Sequence, residues 1–251
     1  VSRNALQDIA VITGGGSEVG AAIAQALHDA GYHVVVTDRD QDKAASVAAA
    51  LFAAGGRSSS AKLDVCDAEA IERLATWIDR ELGGAHVLIN NAVLTRATPV
   101  LDIDLAEWDN VMAVNVRGTF AASQVFGRRF KAARYGRIIN LASLAGQNGG
   151  TATGAHYAAS KGAVLTLTKV FARELANFGV TVNAIAPGPL ASPMVRELID
   201  ETRMPTLLQS IPVGKLGEPA FVASIVARLA SRDAGFVTGA TWDINGGLFM
   251  R

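Results

Sequence analysis

Three things are scarce in this sequence: cysteine, net charge and long apolar runs. A single cysteine, Cys66, in 251 residues cannot close an internal disulfide, which suits a reducing compartment. Lys plus Arg and Asp plus Glu both number 23, so no net field draws the chain to nucleic acid or to an anionic membrane. A small-molecule partner is the expectation. Asn, Gly and Pro break every uncharged stretch short of the ~18 apolar residues a spanning helix needs. The opening "VSRNALQDIAV" also has no apolar core of the signal-peptide kind, so a soluble cytoplasmic protein is expected. His28, His33, His86 and His156 are scattered without ligand spacing, and no metal is expected.

What the chain does have is a recurring alternation. Short runs rich in Val and Ile ("DIAVIT", "HVVVT", "SSAKLDV", "HVLINN", "GRIINLAS", "VTVNAIAP", "ATWDING") are separated by Ala- and Leu-rich segments with helical periodicity. That is the pattern of a parallel sheet covered by helices on both faces. Helices are expected at about 18–30, 41–54, 67–82, 107–133, 156–178 and 218–230. The length suits one undivided α/β domain over residues 1–251. Residues 187–217 have no clear period and read as a substrate-binding lid. Open α/β sheets bind ligands beyond the carboxyl ends of their strands. Thr13, Asp38, Asp64, Asn90, Asn91 and Ser143 end the apolar runs and are the expected lining of a site there.

"TGGGSEVG" (13–20) lies between the first strand and the first helix. Glycines there let backbone approach a phosphate, and the helix start offers free N–H groups and a partial positive charge. Gly14, Gly16, Ser17, Glu18 and Val19 are the candidate contacts. The second strand ends on Asp38, where a carboxylate can accept from both hydroxyls of an adenosine ribose and would repel a 2′-phosphate, so NAD(H) is favoured over NADP(H). Arg39 is the residue that works against that choice. Glu18 is expected to point along the exposed helix start, where the dipole favours a carboxylate; the alternative is that it crowds the pyrophosphate.

"HYAASKGA" (156–163) starts a long helix, with Tyr157 and Lys161 four apart on one face. A free tyrosine has a pKa of about 10, and an adjacent ammonium lowers it. Such a tyrosine can exchange a proton with an alcohol or carbonyl oxygen. Ser143, ending the fifth strand, can donate to the same oxygen, and Asn115 is a polar residue among apolar neighbours.

Taken together and in order, "TGGGSEVG", "DR", "LDV", "NNA", "NVRG", Ser143, "YAASK", "NAIAPGPLASP" and "VTGATWDINGG" mean that the chain resembles the short-chain dehydrogenase/reductase family over nearly its whole length. The resemblance implies a three-layered, doubly wound Rossmann fold of about seven parallel strands. It implies hydride transfer between a nicotinamide cofactor and a secondary alcohol or ketone. It assigns Tyr157 as general acid/base, Lys161 to the tyrosine and the nicotinamide ribose, Ser143 to the substrate oxygen and Asn115 to a proton-relay water. Asp64 and Val65 would meet the adenine, Asn91 and Ala92 the ribose region, and Pro187, Gly188 and Ser192 the nicotinamide. Three departures stand out: Glu18 and Val93 occupy usual glycine positions, and the interval from Ser143 to Tyr157 is one residue longer than usual.

Family machinery does not name a substrate. Leu94, Thr95, Ala145, Gln147, His156, Leu190 and Met194 are candidate pocket residues, mostly apolar and without a carboxylate-binding arginine among them. A neutral hydroxy compound, a sugar-derived alcohol and an acyl thioester all fit. Related 3-oxoacyl-carrier-protein reductases, which commonly use NADPH, dock an acidic carrier; Arg128, Arg129, Lys131, Arg134 and Arg137 are either such a surface or, more simply, a solvated helix end. The resemblance also implies a homotetramer. A non-catalytic NAD-binding sensor or scaffold is the competing reading from another class.

Overall fold

Burial on both faces dictates the strands. β1 (Ile9–Thr13), β2 (His33–Asp38), β4 (Val87–Asn90), β5 (Gly136–Leu141) and β6 (Val180–Pro187) are almost wholly buried, whereas β3 (Ser58–Lys62) and β7 (Thr241–Ile244) are half-exposed edges. The structure, a computed structural model, describes residues 8–150, 152–193, 195 and 202–250. Among these the strands form one seven-stranded parallel sheet in the order β3-β2-β1-β4-β5-β6-β7. The chain winds outward from β1 to β3, then returns to place β4 on the other side of β1. The crevice beyond Thr13 and Asn90 is therefore the topological switch point of the sheet.

Two apolar layers flank the sheet and make the fold a three-layered Rossmann type. On one face Ile12, Val34, Val36 and Ile89 pack with α1 (Glu18–Asp29), α2 (Gln41–Ala53) and α9 (Pro219–Ala230). On the other, Val11, Val35, Leu88 and Ile138 pack with α3 (Ala68–Leu82), α5 (Thr119–Ala133) and α7 (Ala155–Leu175). No described helix is long and apolar enough to cross a membrane.

The expected helix at 107–133 is in fact interrupted. α4 (Leu105–Met112) passes through a π-helical turn, Ala113–Gly118, before α5 begins. Gly118 lies against Val65, and a Cβ there would stand 2.7 Å from its Cγ2. The Thr119 hydroxyl donates to Asn115 O at 2.8 Å, giving the widened turn an acceptor's partner. Such turns recur at functional sites. Two short helices also fall in segments read as irregular, α6 (Ala145–Asn148) and α8 (Met204–Ser210). β3 ends at Lys62, short of the expected Val65, because the Asp64 carboxylate turns back to accept from Cys66 N at 2.8 Å.

A polar tie runs under the carboxyl ends of the central strands. Asn90 Nδ2 donates to Ser123 Oγ on α5 (3.0 Å) and to Asn140 Oδ1 on β5 (2.8 Å), while Asn140 Nδ2 donates to Thr168 Oγ1 on α7 (2.9 Å). All four side chains are buried. Asn90 thus braces the floor rather than lining the crevice. Replacing Asn140 with Leu removes both of its partnerships and should cost about 2 kcal/mol. Urea unfolding followed by circular dichroism checks this, through a lower midpoint at unchanged slope.

Candidate active site

The turn after β1 is built by glycines that have no room for side chains. Gly14 sits at φ +63°, and a Cβ there would lie 2.7 Å from Ala92 Cα. A Cβ on Gly20 would meet Gly14 O at 2.4 Å. Ser17 caps α1: its hydroxyl accepts from Gly20 N (3.1 Å) and donates to Gly14 O (2.9 Å). Asn91 Nδ2 reaches Gly14 O at 2.8 Å, and Thr13 Oγ1 accepts from the N–H groups of Asn91 and Ala92, each at 3.1 Å. Thr13, Asn91 and Ala92 therefore hold the turn against β4.

Asp38 faces this turn. Its Oδ2 accepts from Gly16 N at 3.1 Å and its Oδ1 from Asp40 N at 3.0 Å, so the carboxylate is fixed at the mouth of the loop. Arg39 points to solvent. Glu18, the first residue of α1, is exposed, in keeping with a carboxylate at a helix start. It shares the first helical turn with Val19, where N–H groups have no partner within the helix. A glycine cradle too close to its neighbours for a Cβ, a helix start and a ribose-side carboxylate together fit a dinucleotide. Asp64 and Val65 follow β3, with Val65 buried against Gly118. Pro187 ends β6, and its carbonyl accepts from Leu144 N at 2.9 Å. Gly188 lies so close to Asn245 that a Cβ would be 2.9 Å from its Cα. Ser192 is buried.

Tyr157 and Lys161 share one face of the first turns of α7, with Nζ 5.8 Å from the tyrosine ring centroid. Ser143 follows β5, accepts from Ala145 N at 3.1 Å and lies beside Tyr157. Between them lie α6 and then Gly149 and Gly150, both at positive φ. Burial pushes the Tyr157 phenol up from its ordinary value, and Ser143 partly offsets this. The Lys161 Nζ donates to Leu141 O. Burial also brings Lys161 itself down to about 8.

Asn115 lies in the π-helical turn and is buried. Its Nδ2 donates to Leu94 O and to Ser160 Oγ, both at 2.9 Å, and its Oδ1 accepts from Leu94 N at 2.8 Å. Ser160, unremarked in the sequence, carries the link on to α7 by donating to Tyr157 O at 2.7 Å.

The expected pocket residues divide. Ala145 packs with Tyr157 and Val93. Leu190 joins the core beside α9, Gln147 donates to Asp243 at 2.6 Å, and His156 is fully buried against Glu107. Met194 lies outside the described residues. A cleft of about 390 Å³ opens instead between residues 97–100 and 149–155, lined by Thr98, Pro99, Thr153, Gly154 and Arg203. Arg203, an exposed residue of the segment read as irregular, stands at its edge. The basic cluster is largely spent within the chain. Arg129 pairs with Glu72 (2.7 Å) and Asp79 (2.8 Å), Lys131 with Glu174 (3.3 Å), and buried Arg137 donates to the carbonyls of Gly136, Ser231 and Arg232.

The depressed Lys161 value has a stability consequence. Folding disfavours its protonated form, so the penalty is present in full below pH 8 and is relieved as pH rises toward the ordinary 10.5. Lys161→Met should therefore melt above the parent at pH 7, with the gap narrowing above pH 8; thermal unfolding across pH 6–10 measures it.

A family model described as Enoyl-(Acyl carrier protein) reductase matches residues 15–249. The chain is 39% identical over 242 residues to the 3-oxoacyl-[acyl-carrier-protein] reductase FabG of Vibrio cholerae, covering 96% of this chain and 97% of that protein. It is 37% identical over 247 residues to the short-chain reductase protein NovJ of Streptomyces niveus, covering 96% and 94%. The Haemophilus influenzae FabG reductase is 36% identical, with 96% and 98% covered. With a Rossmann sheet, a glycine turn facing Asp38 and Ser143 beside Tyr157 and Lys161, the chain belongs to the short-chain dehydrogenase/reductase family of oxidoreductases.

Proposed function

We propose that this oxidoreductase transfers hydride reversibly between NAD(H) and a secondary alcohol or ketone, with Tyr157 as the general acid/base. The observation that carries the reading is Ser143 beside the buried Tyr157, with the buried Lys161 amine one helical turn away, 5.8 Å from the tyrosine ring centroid. The nicotinamide supplies or accepts the hydride; Gly14, Gly16, Ser17, Glu18 and Val19 would hold the phosphate side, with Asp38 and Arg39 at the adenosine ribose. Asp64 and Val65 would hold the adenine, and Asn91, Ala92, Lys161, Pro187, Gly188 and Ser192 the nicotinamide half. When hydride adds to a carbonyl carbon, negative charge grows on its oxygen. The Ser143 hydroxyl and Tyr157 phenol donate to that oxygen, and Tyr157 gives up its proton. The Lys161 ammonium stabilises the phenolate left behind. Asn115 keeps the substrate wall and α7 in register.

Burial favours the neutral phenol, which suits Tyr157 to donate at neutral pH. Carbonyl reduction should therefore run at neutral pH, while alcohol oxidation rises with pH as Tyr157 ionises. Tyr157→Phe should lower turnover by at least ~10²-fold in both directions. Equal turnover in mutant and parent would overturn the assignment of Tyr157 as the general acid/base.

Asp38 supports NAD(H) because its fixed carboxylate would oppose a 2′-phosphate. In parallel fluorescence titrations the parent should bind NADH more tightly than NADPH, and Asp38→Ala should narrow the difference. Preference of the parent for NADPH would reverse the cofactor choice.

A second reading, reduction of 3-oxoacyl thioesters, draws support from the names of the FabG relatives. The internal pairing of Arg129, Lys131 and Arg137 argues against that cluster as a carrier-docking surface. Reduction of acetoacetyl-coenzyme A in preference to simple ketones would favour this reading. A homotetramer is part of the proposal: α5 and α7 present Phe120 and Phe171 side by side, 5.8 Å apart, together with exposed Val170.

A further inference from the structure

The residue before Tyr157 is a histidine with no solvent exposure at all. Its Nε2 lies 2.8 Å from Glu107 Oε1 on α4. Hydrogen bonding by Thr98, followed by His156, holds the Glu107 carboxyl below its ordinary range. An ionised carboxylate only accepts, so Nε2 carries the hydrogen. Nδ1 is buried with no partner, and the ring folds back over Gly154, where a Cβ would stand 2.3 Å from Cε1 and 2.6 Å from Nδ1. Gly154 N in turn donates to Arg96 O at 2.8 Å.

The arrangement repeats the one around Asn115. Asn115 ties Leu94 to Ser160; eight residues earlier, Glu107 holds His156 and lies beside Thr98. Leu94 and Thr98 are four apart on the substrate wall, and Ser160 and His156 are four apart on α7. Two clasps about two turns apart along α4 and the π-helical turn therefore grip the same two elements. Tyr157 and Lys161 each follow a clasped residue directly. The outer clasp sits at the mouth of the cleft that Thr98 and Gly154 line.

We propose that the Glu107–His156 pair is a positioning device that fixes the first turn of α7, and with it the Tyr157 hydroxyl, against the substrate wall. The inference rests on the reading of Tyr157 as the proton donor but concerns its placement, which is measurable without turnover. Glu107 faces His156 from α4, and Lys161 and Ser143 stand beside Tyr157. A buried ion pair or charge-assisted hydrogen bond at a helix start holds geometry tightly, and small misplacement of a reacting group costs rate steeply.

The test is an ultraviolet phenolate titration by rapid pH jump in His156→Ala and Glu107→Gln. Each is compared with the same variant carrying Tyr157→Phe, so that the difference isolates Tyr157. With the clasp broken, water reaches the first turn of α7, and Tyr157 should titrate on the order of one pH unit closer to the free value near 10. Turnover of a ketone that the parent reduces should fall about tenfold with NADH affinity unchanged. Unmoved Tyr157 titration in folded variants would overturn the proposal and leave the pair a packing contact. Glu107→Gln preserves side-chain volume and so supplies the answer if His156→Ala does not fold. A shifted titration in a chain whose Tyr157→Phe variant keeps full turnover would retain the placement while rejecting the proposed chemistry.

Discussion

The side-chain amide of Asn115 is the constraint on which the geometry of the site depends. It spends both donor hydrogens and its acceptor on Leu94 and Ser160, groups that come from opposite sides of the crevice. A buried amide with all its partners in place is rigid, because every rotation leaves a polar group unpaired at a cost of about 1–3 kcal/mol. The π-helical turn makes this possible by widening the helix where Gly118 meets Val65. The segment after β4 and α7 are thus referred to a common point rather than to each other.

Much of this was legible in the sequence because it depends on periodicity and on glycine. The seven apolar runs all became strands, and β6 occupies the same eight residues as "VTVNAIAP", nearly all of them buried. The glycine turn was legible because Gly14 and Gly20 answer to contacts that no other residue can make. Ser143, Tyr157 and Lys161 were legible through the resemblance, and the structure brings them together. What stayed hidden depends on long-range partners. Nothing in "HYAASK" says that the histidine turns away from the cleft toward a glutamate 49 residues earlier. The π-helical turn has no periodic signature over six residues, and Arg203 reaches the edge of the cleft from a segment with no period to read.

Buried polarity is concentrated near the carboxyl ends of the central strands. Lys161 keeps an amine in an environment that disfavours its charge, and the Asn90–Asn140 tie places two amides in the floor beneath it. Stability forgone in such places is the common signature of a site shaped for chemistry. The peripheral charges behave differently: Arg129 and Lys131 are matched by partners at the surface, where each pair contributes little.

The two left-handed glycines at 149 and 150 separate two tasks that share one stretch of chain. Upstream, α6 and the Leu144–Pro187 bond anchor Ser143; downstream, Gly154 and His156 anchor Tyr157. Between the anchors the glycines at positive φ let the chain turn without moving either anchored end. The rim of the cleft can therefore diversify by insertion and deletion while the reacting groups stay in place, so that such a scaffold acquires new substrates through changes in loop length as readily as through changes in side chains.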